Sequence, residues 1–281
     1  MKRKRKESKG INRPNGLCFL FFSNIFAACL NKIKVRISTG GVIMKIFYIK
    51  YPKKSFWIIL SIAILLLLFL IYIITRSVSV FNVDEPIYKG DTKEKKIAFA
   101  CNVAWGDEYI PKMLDIFKDN NVHITFFFEG KWAEKNPDVV KDIYQKGHEI
   151  GSHGYTHVKY TNLSRQQYEE DIKKSSEILE KITGIKPILF APPYGDFNDE
   201  VVKVAEQLGY KVILWSLDTI DWNNPSPQTI VDRVMSKYHN GAIVLMHPTK
   251  NTVEALPQII NQLKEKGYKI TKVSEVIVDN N

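Results

Sequence analysis

From about Lys96 to the end of the chain, short apolar runs alternate with longer stretches of helical periodicity, and no other feature of the sequence constrains the fold as strongly. Short apolar runs predict strands, whereas apolar positions three or four residues apart predict amphipathic helices. We expect strands at residues 97–103, 123–128, 188–191, 211–217, 242–246 and 268–272. We expect helices at residues 110–120, 137–146, 164–183, 199–208, 229–237 and 252–266, several of which stop at a glycine.

This alternation predicts parallel strands that are joined by helical crossovers. The expected fold class is therefore α/β, either a barrel or a layered sheet with helices packed on it. In barrels of this kind the chemistry collects where strands end and loops begin. Polar motifs that directly follow an apolar run are for this reason the candidate functional residues.

The formal net charge of +10 is unevenly distributed along the chain. Residues 1–55 contain 14 Lys and Arg against one Asp or Glu, whereas the remaining residues contain 26 Lys and Arg against 29 Asp and Glu. The folded part has no basic surplus, so we expect no nucleic-acid partner. The three cysteines make no disulfide framework, and Cys101 lies in an apolar run that is typical of a buried thiol.

Residues 56–75 form a run of twenty residues without a charge. A helix of this length crosses the hydrocarbon core of a bilayer, about 30 Å thick, and the run has no polar face that would suit a core helix. Lysines precede the run and only Arg76 closely follows it. The positive-inside rule then predicts a cytoplasmic N-terminus and an extracytoplasmic C-terminal domain, anchored in the cell membrane by a single pass.

The expected organisation is a basic cytoplasmic region at residues 1–55, a transmembrane helix at 56–75, a linker at 76–95 and a folded domain at 96–277. The first 43 residues leave two alternatives open. They could form a lipoprotein leader that ends at Cys29. Alternatively, they are not translated and the protein begins at Met44, shortly after two glycines that a ribosome-binding site could encode.

Two polar motifs contain candidate metal and substrate residues. His153 and His157 are four residues apart, so on one helical turn their imidazoles share a face and could bind a borderline metal ion such as zinc. Taken alone, such a pair is a weak signal. Residues 191–196, Ala-Pro-Pro-Tyr-Gly-Asp, are stiffened by proline and could aim a backbone N–H at a substrate oxygen, although a rigid turn without function has the same pattern.

Two further motifs follow the apolar runs that end near residues 217 and 246. In the first, Asp221 precedes Trp222, and a carboxylate beside an exposed indole suits a saccharide ring. A capped loop with a core tryptophan is the structural alternative. In the second, His247 follows a strand, where an imidazole can be a general acid that protonates a leaving amine. A lone histidine is more often structural.

In order and spacing these four motifs resemble the polysaccharide deacetylase (NodB-homology) family of carbohydrate esterases, and most closely its sporulation-associated members in Gram-positive bacteria. The resemblance covers residues 96–277 and includes Trp-Gly-Asp at 105–107, Gly-His-Glu-Ile-Gly at 147–151 and Val-Ser-Glu-Val at 273–276. It implies a distorted (β/α) barrel. It also implies removal of N-acetyl groups from an amino-sugar polysaccharide of the cell envelope, such as peptidoglycan.

The resemblance implies a role for each candidate residue as well. His153 and His157 would bind a divalent metal, with zinc expected, and metal-bound water would attack the acetamide. His247 would be the catalytic acid, and Asp221 would tune it. Three residues are expected at the substrate, where the tyrosine backbone N–H would stabilise the oxyanion and the indole would form one wall: Pro193, Tyr194 and Trp222.

Three positions depart from the family pattern. The family motif Thr-Phe-Asp-Asp aligns with residues 100–103, which places Asn102 at the catalytic base and Val103 at the metal carboxylate. An amide cannot take up the proton that a carboxylate accepts, and valine cannot bind a metal. Ala191 replaces the arginine that pairs with the base in the family. Loss of the base carboxylate together with loss of its arginine partner is physically consistent, because either charge buried without the other would destabilise the fold.

Two interpretations therefore stay open. In the first, the chain is a metal-dependent polysaccharide N-deacetylase in which Asp107, another carboxylate or water completes the metal site. In the second, it is a pseudoenzyme that binds cell-wall glycan without cleaving it. Retention of the two histidines, Asp221 and His247 favours activity, whereas loss of the base and of the carboxylate ligand favours binding.

Overall fold

The computed structural model describes residues 32–39, 42–49, 53–77 and 85–277. The chain divides into two compact units, Met1–Phe81 and Asn82–Asn281. Residues 1–31 and part of the predicted linker lie outside the described residues. The two alternatives for the start of the chain therefore stay predictions.

In the first unit, β1 (Lys32–Thr39) and β2 (Val42–Ile49) pair as an antiparallel hairpin that was not predicted. Its register sets apolar positions of the two strands opposite each other, as at Val35 and Ile46. Helix α1 (Lys53–Ser77) follows and contains the uncharged run. In the described part of the chain, nevertheless, no helix is long and apolar enough to span a bilayer, and the predicted transmembrane helix is not found there.

The described part of the second unit contains eight strands. The strand predicted at 211–217 is in fact two strands that pair with different neighbours, and the strand at 149–152 was not predicted because Glu-Ile-Gly-Ser is not an apolar run. The strands are β3 (Lys96–Val103), β4 (Thr125–Phe128), β5 (Glu149–Ser152), β6 (Leu189–Phe190), β7 (Lys211–Val212), β8 (Leu217–Asp218), β9 (Ile243–Met246) and β10 (Lys269–Thr271).

All strand pairings in this sheet are parallel, in the order β7-β6-β5-β4-β3-β9-β8, and β10 pairs with the start of β3. The arrangement is a (β/α) half-barrel, which confirms the predicted α/β class. Ile87 bridges Ile213, and Lys89 bridges Ala242. The end of the predicted linker is therefore built into the domain.

Each of the six predicted helices is present within two residues of its expected bounds. Local signals explain this agreement: Ser164 and Gln167 form a capping box at one helix start, and Gly184 ends the same helix with a φ of 77°. The helices are α2 (Ile110–Asp119), α3 (Gly130–Lys135), α4 (Pro137–Gln145), α5 (Arg165–Thr183), α6 (Asp199–Gln207), α7 (Pro227–Met235), α8 (Lys250–Glu265) and α9 (Val273–Val276), of which α3 and α9 were not predicted.

Strand β3 runs through the centre of the sheet, and its alternation separates two layers of core. Its odd-numbered residues, from Ile97 to Val103, are fully buried in the larger apolar cluster, together with side chains of α2, α4 and α8. Cys101 is among them, so the prediction of a buried thiol is confirmed. Ala98 and Ala100 belong to a second cluster. Asn102 shares their parity and ends this second face.

Candidate functional site

A cleft of about 390 Å³ lies at the carboxyl ends of the parallel strands. Residues at or just beyond the ends of β3, β5, β8 and β9 contribute to its walls. Asp221 and Pro193 are buried and are not among the lining residues. The other six predicted site residues line the cleft: Asn102, His153, His157, Tyr194, Trp222 and His247.

The two predicted metal histidines meet, but not on a helix. Beyond β5 the chain forms a loop in which Gly154 has a φ of 72° and His157 a φ of 50°, and both values lie outside the right-handed helical region. The predicted helical turn is therefore wrong. The loop nevertheless brings the ring centroids of His153 and His157 to 5.0 Å.

Asp171, on α5, holds the histidine loop in place. Its Oδ1 accepts the backbone N–H and the hydroxyl of Thr156 at 3.1 and 2.6 Å. Its Oδ2 accepts the backbone N–H of Tyr155 and the hydroxyl of Tyr160, both at 2.6 Å. A Cβ on Gly154 would lie 2.4 Å from that tyrosine hydroxyl, so only glycine fits there. Four donors thus balance the buried charge of Asp171 and fix the loop.

His153 is buried, and its Nδ1 lies 2.6 Å from the carbonyl oxygen of Ala191. A carbonyl only accepts hydrogen bonds, so Nδ1 carries the proton and Nε2 retains its lone pair. Burial, followed by the nearby His157, lowers the pKa of His153 to about 3. Burial also lowers the pKa of His157. Both imidazoles are therefore neutral at neutral pH, the state that metal binding requires.

The side chains around this pair are too few for the predicted catalytic zinc. Catalytic zinc sites use three protein ligands and leave a fourth position open. Within the described ranges, no group of three or more His, Cys, Asp or Glu side chains is placed to hold a metal ion. Asp107, considered above as a substitute ligand, is exposed in the 3-10 turn Asp107–Tyr109 and does not line the cleft. Asp107 is therefore not placed as the third ligand, and the residues present do not fit a tightly bound zinc.

The two positions where the family has carboxylates differ in orientation. Asn102 lines the cleft at 6 % exposure, and its buried Oδ1 has no hydrogen-bond partner in the part of the chain that the structure describes. Val103 is fully buried in the apolar cluster between sheet and helices and does not line the cleft. A buried carbonyl oxygen without a hydrogen bond lowers the stability of the fold by about 1–3 kcal/mol. A ligand that donates a hydrogen bond to this oxygen would recover part of that free energy.

The proline-rich segment forms a short 3-10 turn, Pro193–Gly195, in which Tyr194 has a φ of 61°. Its ring is largely exposed and lies 4.7 Å from the ring of His157, centroid to centroid. Pro193 is buried and shapes the turn instead of offering surface to a ligand. A Cβ on Gly195 would lie 2.8 Å from the ring of Trp215, so this turn packs closely on the cleft wall.

His247 and Asp221 form a complete pair. The carboxylate Oδ1 is 2.7 Å from Nδ1 of His247, and Oδ2 accepts the backbone N–H of the same residue at 2.7 Å. The hydroxyl of Thr252 also donates to Oδ2, at 2.6 Å, and Asp221 is 1 % exposed. The carboxylate therefore holds Nδ1 protonated and leaves Nε2 for the cleft. The indole of Trp105 stacks on the imidazole of His247, with centroids 5.8 Å apart and planes 9° apart.

The loop after β8 presents an indole and a carboxylate to the cleft. Ile220 has a φ of 50°, which is rare for a β-branched residue, and its backbone N–H donates to Asp218 Oδ1 at 2.8 Å. Arg233 donates to the carbonyl oxygen of Thr219 at 2.7 Å and so braces the strained turn. Asp218 is half-buried, and burial raises the pKa of its carboxyl. Trp222 is largely exposed at the rim.

Residues 89–213 match the family model for polysaccharide deacetylase. A peptidoglycan-N-acetylglucosamine deacetylase of Bacillus cereus is 38 % identical over 190 residues, which cover 66 % of this chain and 89 % of that protein. The chain belongs to the polysaccharide deacetylase family. The family includes hydrolases that act on N-acetyl amides as well as described pseudoenzymes, and the sequence-based family assignment is confirmed.

Two other proteins are more similar to this chain in sequence. The protein YlxY of Bacillus subtilis is 44 % identical over 193 residues, which cover 69 % of this chain and 60 % of YlxY, less than two thirds of its length. The structure of BA3943, described as a CE4 family pseudoenzyme from Bacillus anthracis, matches with a TM-score of 0.67 at 44 % identity and covers 68 % of each chain. A BA3943 mutant is described as having restored enzymatic activity.

Proposed function

We propose that this chain binds an amino-sugar glycan of the cell wall in the cleft, and that its hydrolytic centre is impaired. One observation carries the proposal. The acid side of the site, His247 with Asp221, is complete, whereas the position of the expected base is the amide of Asn102 and that of the metal carboxylate is Val103, which faces the apolar core.

Glycan binding is supported by the rim of the cleft. Tyr194, Trp222 and Trp105 expose aromatic rings there, and aromatic faces pack well on saccharide rings. Relatives named peptidoglycan deacetylases support peptidoglycan as the polymer. The 44 % identity to a described pseudoenzyme supports the loss of hydrolysis.

The chain's own residues account for half of an acyl-transfer mechanism. His247 lines the cleft, and its Nε2 can give a proton to a leaving amine, because the hydrogen bond between Nδ1 and the Asp221 carboxylate orients the ring. The amide of Asn102 cannot remove a proton from an attacking water. We therefore expect bound substrate to be held and not turned over.

A restoration experiment tests this proposal. The variant with Asn102→Asp and Ala191→Arg, which restores a carboxylate on the cleft face of β3, should release acetate from N-acetylated chitooligosaccharide or peptidoglycan in the presence of excess zinc or cobalt. The wild-type chain should bind the same oligosaccharide without releasing acetate. Acetate release by the wild type at the rate of the restored variant would refute the impairment. Absence of binding to both the N-acetylated and the deacetylated oligosaccharide would refute the binding role.

A working N-deacetylase is the second candidate, favoured by the complete set of contacts around His247, Asp221 and Thr252. It predicts acetate release by the wild type that stops on addition of a chelator. No acetate at high protein concentration with added zinc or cobalt would exclude this candidate. Substitution of His247 by Gln supplies the control, because it removes the acid while the cleft keeps its shape.

We also propose that the cleft binds a divalent metal ion, with zinc expected. Among the described residues, no third metal-binding side chain joins His153 and His157, so we expect metal binding that is too weak to survive dialysis. Metal analysis of the dialysed wild type should find zinc well below one ion per chain, and a stoichiometric amount would contradict this expectation.

Anchoring in the cell membrane, with the cytoplasmic and extracytoplasmic sides given above, is proposed from the sequence. Its support is the uncharged run at residues 56–75 and the lysines before it. Extraction of cell membranes with alkaline carbonate should leave the chain in the pellet. Protease added to intact protoplasts should remove the domain at residues 96–277. Release by carbonate would refute the anchor, and protection from protease would refute the orientation. Expression during sporulation also stays a prediction.

A further inference from the structure

The cleft is rich in hydrogen-bond acceptors. Asn102 lines the cleft and is 6 % exposed, and its buried Oδ1 accepts no hydrogen bond from the described residues. Asp218 places a second acceptor there: its Oδ1 accepts the N–H of Ile220, and the described residues supply no donor to Oδ2. A ligand that satisfies this site must therefore bring donors.

The distribution of charged residues around the cleft also favours a ligand that brings hydrogen-bond donors. Asp218 is its acidic residue, and among the described residues that line it there is no lysine or arginine. The other nearby carboxylate, Asp221, is already engaged by His247 and Thr252. The ammonium of Lys159 lies 5.9 Å from the ring centroid of Tyr194, and Lys159 is not among the lining residues. A cation would therefore enter without meeting a lysine or an arginine in the wall.

The aromatic residues complete the pattern. Trp105, Tyr194 and Trp222 are each exposed at the cleft, and the faces of such rings attract cations. A half-buried carboxylate, an unpaired amide oxygen and several aromatic rings together form a site that suits an ammonium group. A neutral acetamide has one N–H and no charge, so it satisfies this site less well.

We propose that the cleft binds the protonated amine of an already deacetylated amino sugar in preference to the N-acetylated sugar. The inference rests on the proposed glycan-binding function and specifies its ligand. The ammonium donates to Asn102 Oδ1 and to Asp218, and the indole of Trp222 packs on the sugar ring. The chain would then recognise glycan on which a deacetylase has acted, and the supplying reaction is hydrolysis of the N-acetyl amide.

Isothermal titration calorimetry of the purified full-length chain tests the proposal. The two probes are the tetrasaccharide of glucosamine and that of N-acetylglucosamine, at a pH where the amine is protonated. The wild type should bind the glucosamine probe at least roughly tenfold more tightly, the effect expected for a charge-assisted hydrogen bond. In Asp218→Asn this preference should disappear, because the amide retains the acceptor for the N–H of Ile220 but has no charge.

Asp115→Asn is the matched control, since it removes a carboxylate from the exposed face of α2 and should leave the preference unchanged. Equal thermal unfolding of the two variants shows that both are folded. Tighter binding of the N-acetylated probe, or a preference that survives Asp218→Asn, overturns this inference while glycan binding stands. Binding of neither probe overturns the proposed function itself.

Discussion

The buried imidazole of His148 makes the stability of the domain depend on pH. His148 is 5 % exposed, and its Nδ1 accepts the backbone N–H of Ile124 at 3.2 Å. Burial, followed by the nearby His123, lowers the pKa of His148 to about 4. In the unfolded chain the same group titrates near its ordinary pKa of about 6.5. Between these two values the unfolded state binds a proton that the folded state does not.

The sign and size of the effect follow from this difference. The stabilising contribution of the neutral imidazole is fully present above pH of about 6.5, and it is lost as the pH falls to about 4. The shift corresponds to about 3 kcal/mol, since each pKa unit is worth about 1.4 kcal/mol. Such a loss is a large part of the net stability of an ordinary domain, about 5–15 kcal/mol.

The variant His148→Asn isolates this contribution, because its Oδ1 can replace Nδ1 as acceptor for the N–H of Ile124 but does not titrate. Urea unfolding of the full chain at a series of pH values between 7 and 4 gives the free energy of unfolding. Other groups that reduce stability at acidic pH, including His153, are present in both proteins. The free energy of unfolding of the variant should therefore fall by about 3 kcal/mol less than that of the wild type over this pH range. The control His239→Asn should behave as wild type. Equal losses in His148→Asn and wild type would refute the reasoning.

Three other predictions concern the cleft and its supports. Asp171→Ala should lower the free energy of unfolding by about 3–5 kcal/mol, because four donors lose their acceptor. Asp171→Asn should lower it by clearly less, because the amide keeps one acceptor oxygen. Urea unfolding measures both variants, and equal losses would contradict the role assigned to the carboxylate. Gly106→Ala should cost about 2 kcal/mol in the same assay, since a Cβ there would lie 2.1 Å from the carbonyl oxygen of Pro248 at a φ of 81°. Trp222→Ala should weaken glycan binding by roughly tenfold in calorimetry and change stability by less than about 0.5 kcal/mol, because the side chain is 59 % exposed. Unchanged affinity would remove the indole from the binding surface.

The sequence by itself was sufficient for the fold class and for the helices. Apolar periodicity, the capping residues at Ser164 and Gln167 and the glycine at Gly184 are local signals, and local signals set where a helix begins and ends. The order of the polar motifs was also sufficient for the family and for six of the residues that line the cleft. Prediction from the sequence failed where strands are short and their pairing is non-local. Strand β5 was not predicted, and β7 and β8 were predicted as one strand.

Only the tertiary structure decided which side chains share the cleft and which do not. The contact between Asp171 and the histidine loop exists because α5 docks beside β5, and no spacing along the chain encodes it. Asn102 and Val103 are neighbours in sequence, yet strand alternation sends the first to the cleft and the second to the apolar core. The charge of the cleft is likewise a property of residues from four strand ends, because these residues are distant in sequence and meet only in space.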